Sequence, residues 1–392
     1  MKEHLTIALV VDTLGEEGNG TSNSAVQFAA ELERQGCAVR LVGIGAPDER
    51  YRATERYVCG ATEFARPHHI AFAQPDDDLF ARAFEGVDIV HIYLPFAFGK
   101  AAARYCFKQG IPVTAGFHVL AENFVSNAPF LGVVPGMTAM LYSWMRMRFY
   151  RQIEHIHTPT EMTKRILRAR KYTNKLHVFS NGYDDILFRA RPIMEPRAQK
   201  KLQSKNFVIC SAGRLSKEKS HETLIKAVAL SVHKDDIEVR IAGSGPHEKK
   251  LRKMASNLLQ PDQLSISFVE HEQMGEFFAQ ADLFVHASSI DIEGISAIEA
   301  MAVGVVPVIA RADLSAASGF ALCKESVFDY GDAQQLAQKI DWWIEHPAER
   351  LRRGMKYAQH THDYYSLAAS VRAFIEMERQ AIEDDRSGRV AA

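Results

Sequence analysis

Cysteine is scarce and scattered. The chain has five, at Cys37, Cys59, Cys106, Cys210 and Cys323, and no CxxC pair. That argues against a disulfide framework or a zinc knuckle and for a reducing compartment. Long apolar runs are also missing. No stretch approaches the roughly 18 residues that a bilayer-crossing helix needs. The first apolar run, residues 5–11, is interrupted by Thr6 and ended by Asp12. It reads as a buried strand, not as the core of a secretory leader. Net charge is nearly absent: 47 Lys and Arg stand against 48 Asp and Glu, leaving −1. This excludes a uniformly basic nucleic-acid coat and an acidic solvating chain. Low-complexity tracts are absent as well.

What the chain does have is apolar material in short pieces. Its 392 residues are 47% hydrophobic, enough for two cores. Short buried runs alternate with amphipathic ones. Strands are expected at 5–11, 39–43, 87–92 and 113–117, with helices at 24–35 and 101–109. The rhythm repeats with strands at 207–212, 238–242, 265–269, 283–286 and 306–309, and helices at 221–232 and 248–258. Such alternation predicts parallel sheets covered on both faces. Asn181-Gly182, Pro192 and Pro196 carry linker signals between the halves. The expected division is 1–185, 186–364 and a last helix from 365, frayed beyond Arg386. Ligands of doubly wound sheets sit beyond the carboxyl ends of the strands, so the loops after strands deserve the chemistry.

Four such loops stand out. Gly18-Asn19-Gly20-Thr21 follows the first strand; it either turns the chain or lets backbone N–H groups approach an anion. Gly213-Arg214-Leu215-Ser216-Lys217-Glu218-Lys219 follows the strand at 207–212. Arg214 and Lys219 there suit a diphosphate, through a guanidinium fork and an ammonium, or else form a solvated loop. Gly243-Ser244-Gly245-Pro246 ends the next strand. The segment 288–307 carries Asp291, Glu293, Gly294 and Glu299. Gly294, Ile295, Ser296 and Ala297 can open a helix whose free N–H groups face a phosphate, and Glu299 one turn inside can take two vicinal ribose hydroxyls. The plainer alternative is a helix with acids near its N-terminus. His118, after the strand at 113–117, is a candidate for hydrogen bonding and charge stabilisation.

These pieces together resemble glycosyltransferase family 4, retaining nucleotide-sugar-dependent enzymes of the GT-B fold. The matching segments run in order: NGTS at Asn19, FHVLAEN at Phe117, HTPTE at His157, SNGYDDILF at Ser180, GRLSKEK at Gly213, AGSGP at Ala242, ADLFVHAS at Ala281 and IEGISAIEAMAVGVVP at Ile292. The resemblance implies an α/β fold of two doubly wound Rossmann-like domains facing across a cleft. The first would bind the acceptor and the second the nucleotide sugar, with the last helix crossing back to the first domain. It implies that Gly20 lies by the transferring phosphate and sugar, and that His118 approaches the reaction centre. Arg214 and Lys219 would clamp the diphosphate, Gly243 and Gly245 would pass near the nucleotide, and Glu299 would hold the ribose. The family pattern has two glutamates eight apart. Here the first is Asp291, and Glu293 stands where an aromatic is common, so both remain candidates for the donor sugar.

No nucleophile with a flanking acid pair is evident, which favours a front-face route assisted by positive side chains. Asp76, Asp77 and Asp78 follow Pro75 and read as a surface loop, so no metal and no cofactor are expected. The acceptor is read from charge. Residues 100–175 hold twelve Lys and Arg against three Glu, a local excess of nine. Inside lie Asn123, Phe130 and Leu131, then a helix-like run with Trp144, Arg146 and Arg148. A basic, aromatic-rich helix suits an anionic membrane surface; alternatively its apolar side is core. The expected acceptor is diacylglycerol or a lipid-linked saccharide at the inner face of the plasma membrane; the family resemblance implies UDP-glucose as the first donor, with other UDP-sugars and GDP-mannose behind it. A soluble enzyme acting on a small sugar or inositol phosphate is the second reading. A non-catalytic sugar-nucleotide binder is the third. No nucleic-acid reader motif is present.

Overall fold

The structure, a computed structural model, describes residues 4–14, 20–60, 62–63, 71–127, 136–189 and 206–391. The chain divides into two compact units, Met1–Asn181 with Leu367–Ala392, and Gly182–Ser366.

The first unit runs β1 (Thr6–Thr13), α1 (Gly20–Arg34), β2 (Ala38–Ile44), α2 (Asp77–Phe84), β3 (Ile89–Ile92), α3 (Ala97–Gln109), β4 (Val113–Gly116), α4 (Ala121–Asn127), α5 (Met137–Arg148), β5 (His155–Thr158), α6 (Glu161–Ala169) and β6 (Lys175–Val178). Its sheet has the order β2-β1-β3-β4-β5-β6. Every pair is parallel. Central β1 is buried from Ile7 to Thr13, which is why it reads as an unbroken apolar block. The order reverses between β1 and β3, where neighbouring loops diverge and leave room for a ligand.

Two readings of this unit need correction. Asp76, Asp77 and Asp78 do not form a loop. Asp76 Oδ1 accepts from the amides of Asp78 at 2.9 Å and Leu79 at 3.2 Å, capping α2. Leu79, Phe80, Ala83 and Phe84 of that helix are buried. The aspartates are there for the helix start, which favours acids. Helix α1 begins at Gly20 and not at residue 24, because its polar first turn hides the apolar periodicity.

The second unit runs β7 (Phe207–Ala212), α7 (His221–Leu230), β8 (Ile237–Ala242), α8 (Glu248–Leu258), β9 (Leu264–Ser267), α9 (His271–Ala279), β10 (Leu283–His286), β11 (Ile290–Asp291), α10 (Ile295–Ala302), β12 (Val306–Arg311), β13 (Leu314–Ser315), β14 (Val327–Asp329), α11 (Ala333–Glu345) and α12 (Pro347–Tyr365). The sheet order is β14-β12-β10-β7-β8-β9, and β11 pairs with β13 apart from it. All pairs are again parallel. Strand β7 is buried along its whole length.

Ser366 breaks the chain after α12 with extended backbone, ψ 144°. The last helix, α13 (Leu367–Ala391), then packs within the first unit. The Phe374 ring meets Phe28 edge-on at 5.6 Å and His91 at 4.8 Å. Glu378 is buried and accepts from Thr114 Oγ1 at 2.7 Å, with His91 Nδ1 3.1 Å away. The helix extends to Ala391, past Arg386 where fraying was expected to begin. Among the described residues no helix is long and apolar enough to cross a membrane.

Candidate active site

In the second unit the loops after the strands are knitted to one another. The Gly213 amide donates to Ala242 O at 3.0 Å, and the Leu215 amide to Ser244 O at 2.8 Å. The loop after β7 is thus held against the segment Gly243–Gly245 after β8. Glu218 anchors the same loop from beneath: its buried carboxylate accepts from Ser216 Oγ at 2.6 Å, and its carbonyl from the Ser289 amide at 2.8 Å. Lys219 and the half-buried Arg214 flank this anchor.

Lys219 Nζ donates to Asp291 Oδ2 at 2.6 Å. His286 Nε2, at the end of β10, lies 3.2 Å from the same oxygen. Burial alone would raise the Asp291 carboxyl; the Lys219 charge and His286 outweigh it and hold it well below the usual carboxylate range. Asp291 is therefore an anion with its charge partly spent inside the protein.

Helix α10 starts four residues on. Gly294 takes φ 89°, a left-handed turn that glycine adopts freely, and an added Cβ would lie 2.8 Å from Ala317 Cβ. Gly294, at the cap position, has no side chain to accept from the amides of Ile295 and Ser296 that begin the helix. An uncapped helix start attracts an anion. Glu299 follows, buried in the same helix; burial, then the charge of Asp184, pushes its pKa up to about 8. A buried carboxyl of this kind gains from hydroxyl donors, which a vicinal diol supplies. Glu293 is also buried; burial, then the charge of Glu293, raises the Tyr365 hydroxyl.

The first unit holds the other expected residues. His118 folds back over Gly116, where an added Cβ would fall 2.1 Å from its Nε2. Tyr93 stacks on its ring at 5.0 Å and His157 meets it edge-on at 5.4 Å. The buried Nε2 has no hydrogen-bond partner among the described residues. Burial, then His91, pushes its pKa down to about 3, so the ring is neutral. Gly20 opens α1 and Asn123 lies on α4. Trp144, Arg146 and Arg148 lie on α5, with the Trp144 ring beneath Lys100 Nζ at 4.3 Å. Phe130 and Leu131 fall outside the described residues, as do Gly18 and Asn19.

Sequence reasoning missed His286 and Glu218 as parts of the site. Each stood in a quoted segment, and His286 is a polar residue closing an apolar strand, which was the available signal.

Comparison with known proteins bears on the family and the fold. The family described as Glycosyltransferase Family 4 matches residues 18–186, and Glycosyl transferases group 1 matches residues 193–361. An alpha-monoglucosyldiacylglycerol synthase of Streptococcus pneumoniae is 25% identical over 322 residues, covering 78% of this chain and 71% of its own. Among solved structures, a sucrose-phosphate synthase of Thermosynechococcus elongatus superposes with a TM-score of 0.77 at 16% identity, over 97% of this chain and 100% of its own. Anabaena HepE in complex with UDP-glucose does so with a TM-score of 0.68 at 16% identity, over 98% of this chain and 100% of its own. Both share the fold of two Rossmann-like domains. The chain belongs to glycosyltransferase family 4, as a sugar-transferring enzyme of the GT-B fold.

Proposed function

We propose that this enzyme transfers glucose from UDP-glucose to a membrane-held acceptor, diacylglycerol or a lipid-linked saccharide, with retention at the anomeric carbon. The observation that carries the donor half is the Lys219–Asp291 pair beside the uncapped start of α10. Arg214 and Lys219 neutralise the diphosphate. The first amides of α10 take phosphate oxygens, and Glu299 takes the ribose hydroxyls. Asp291 and Glu293 are the two carboxylates offered to the sugar. The diacylglycerol-glucosylating relative supports the choice of acceptor and sugar. So does α5, whose exposed apolar residues sit among arginines.

In this reading the bond from the anomeric carbon to the diphosphate oxygen breaks. The acceptor oxygen bonds to that carbon on the same face, and its proton passes to the departing diphosphate. Positive side chains and helix amides stabilise the charge that develops, so no divalent ion is required. The enzyme would work at the inner face of the plasma membrane as a peripheral protein.

The test is incubation with UDP-glucose and a diacylglycerol-containing lipid extract, in EDTA, with product identified by mass spectrometry and its anomer by NMR. An α-glucosyl lipid is expected. A β-linked product overturns retention, and loss of turnover restored by magnesium or manganese overturns metal independence. Turnover of a water-soluble acceptor alone overturns the lipid assignment.

A further inference from the structure

The first unit contains a cavity of about 450 Å³ between α3, α5 and the segment around Arg56. Arg56, Lys100, Arg104 and Arg148 line it beside Phe107 and Met147, and no described carboxylate does. The cations sit on ordered backbone. The Arg56 amide donates to Phe72 O at 2.7 Å, and the Gln74 amide to Thr54 O at 2.8 Å, fixing Arg56 on a short ladder. Lys100 and Arg104 are four apart on α3 and share one face. Lys100 Nζ rests 4.3 Å from the centre of the Trp144 ring. Arg148 ends α5, where the helix carbonyls favour a cation.

Four cations around one volume repel each other unless an anion enters. Burial, then Arg148 and Arg104, push the Lys100 ammonium below its ordinary value. The volume lies in the range that small ligands fill, and exceeds the needs of a bare phosphate. Beside it, apolar side chains face water. Met140, Trp144 and Met147 lie at i, i+4 and i+7 on α5 and are 58%, 43% and 49% exposed; Phe107 on α3 is 43% exposed. A soluble phosphate gains nothing from that stripe, whereas acyl chains do.

We infer that this cavity binds the phosphate headgroup of an anionic phospholipid, with the acyl chains against the Met140–Trp144–Met147 stripe. All of its lining residues belong to the first unit. The inference rests on the membrane-surface reading above and adds a defined headgroup site to it. The lipid would anchor the enzyme through one recognised group, which a diffuse basic field does not provide.

Vesicle sedimentation of the full chain tests it. Wild type should bind phosphatidylcholine vesicles that contain phosphatidylglycerol. Arg104→Gln with Arg148→Gln should weaken binding about tenfold or more, and Lys164→Gln with Arg165→Gln, an equal charge change on α6, less than about threefold. Thermal unfolding of both variants should match wild type. Wild type supplies a second measure that does not depend on variant folding: vesicles given the same charge by oleate should bind about fivefold more weakly, since the guanidinium forks match phosphate. Equal losses in the two double variants, or equal binding to oleate vesicles, overturn the headgroup site and leave the membrane reading standing. Wild type that binds no anionic vesicle overturns both. Glycerol phosphate binding without vesicle binding gives the cavity to a soluble phosphate and overturns the lipid assignment.

Discussion

Lys219 and Asp291 are 72 residues apart in sequence, and their side chains meet at 2.6 Å. The pair joins a residue expected to clamp phosphate to one expected to meet sugar. A diphosphate arriving at Lys219 must compete with Asp291, so the two residues should separate in their effects. Lys219→Gln should weaken UDP binding by about 10- to 100-fold, the scale of a charge-assisted hydrogen bond. Asp291→Asn should leave UDP binding equal or tighter and still lower turnover. Calorimetry with UDP and steady-state rates check this. Equal loss of UDP affinity in both variants would show that the pair serves only to hold the loop.

Glu299 should make the second unit less stable as pH rises. Its folded pKa, about 8, lies above the ordinary carboxyl value of 4.5 because of burial and then Asp184. The folded state therefore holds the proton more tightly than the unfolded state. That stabilisation is complete below about 4.5 and is lost as pH climbs through about 8. Glu299→Gln stays neutral throughout. In nucleotide-free protein the variant should unfold at a higher temperature than wild type at pH 9, and the gap should close by pH 5. A gap independent of pH would mean that Glu299 ionises normally in the folded chain.

Much of the architecture was legible because buried parallel strands are apolar blocks. The bounds of β7 and β10, and of α8, agree residue for residue with the sequence reading. Helix α12 escaped notice because most of Pro347–Tyr365 is polar, with Gly354, Tyr357 and Thr361 as its buried residues. The loops after β7, β8 and β10 were legible as candidates from glycines and charges placed after strands. The partnership of Lys219, Asp291 and His286 was not, since no local pattern specifies contacts between three separate segments. The three expected site residues in α5 could be named from composition. Which of its apolar residues face outward could not, because the run is apolar on several sides and only packing decides among them.

The buried group formed by Glu378, Thr114 and His91 should be a main fastening of α13. Glu378 accepts from Thr114 Oγ1 at 2.7 and 2.9 Å, and His91 Nδ1 is 2.8 Å from the same hydroxyl. Removing the carboxylate leaves two buried polar groups without it. Glu378→Ala should cost about 3 kcal/mol in urea unfolding, and Glu378→Gln, which keeps an acceptor, markedly less. Losses below about 1 kcal/mol in Glu378→Ala would mean that apolar packing around Phe374 holds the helix unaided.

His118 should act as a neutral hydrogen-bonding group and not as an acid or base. Its buried Nε2 lacks a partner among the described residues, and a pKa near 3 keeps the ring uncharged in the working range. A substrate hydroxyl is a fitting partner for such a nitrogen. His118→Ala should lower kcat/KM about 100-fold, and His118→Asn, which retains a hydrogen-bonding end, by roughly tenfold. Neither change should alter the shape of the pH–rate profile between pH 5 and 9, because the wild-type ring does not titrate there. The profile is the deciding measurement, since a merely structural role could produce the rate losses alone. An inflection near pH 6.5 present in wild type and absent in both variants would make His118 a titrating catalyst and refute the neutral role.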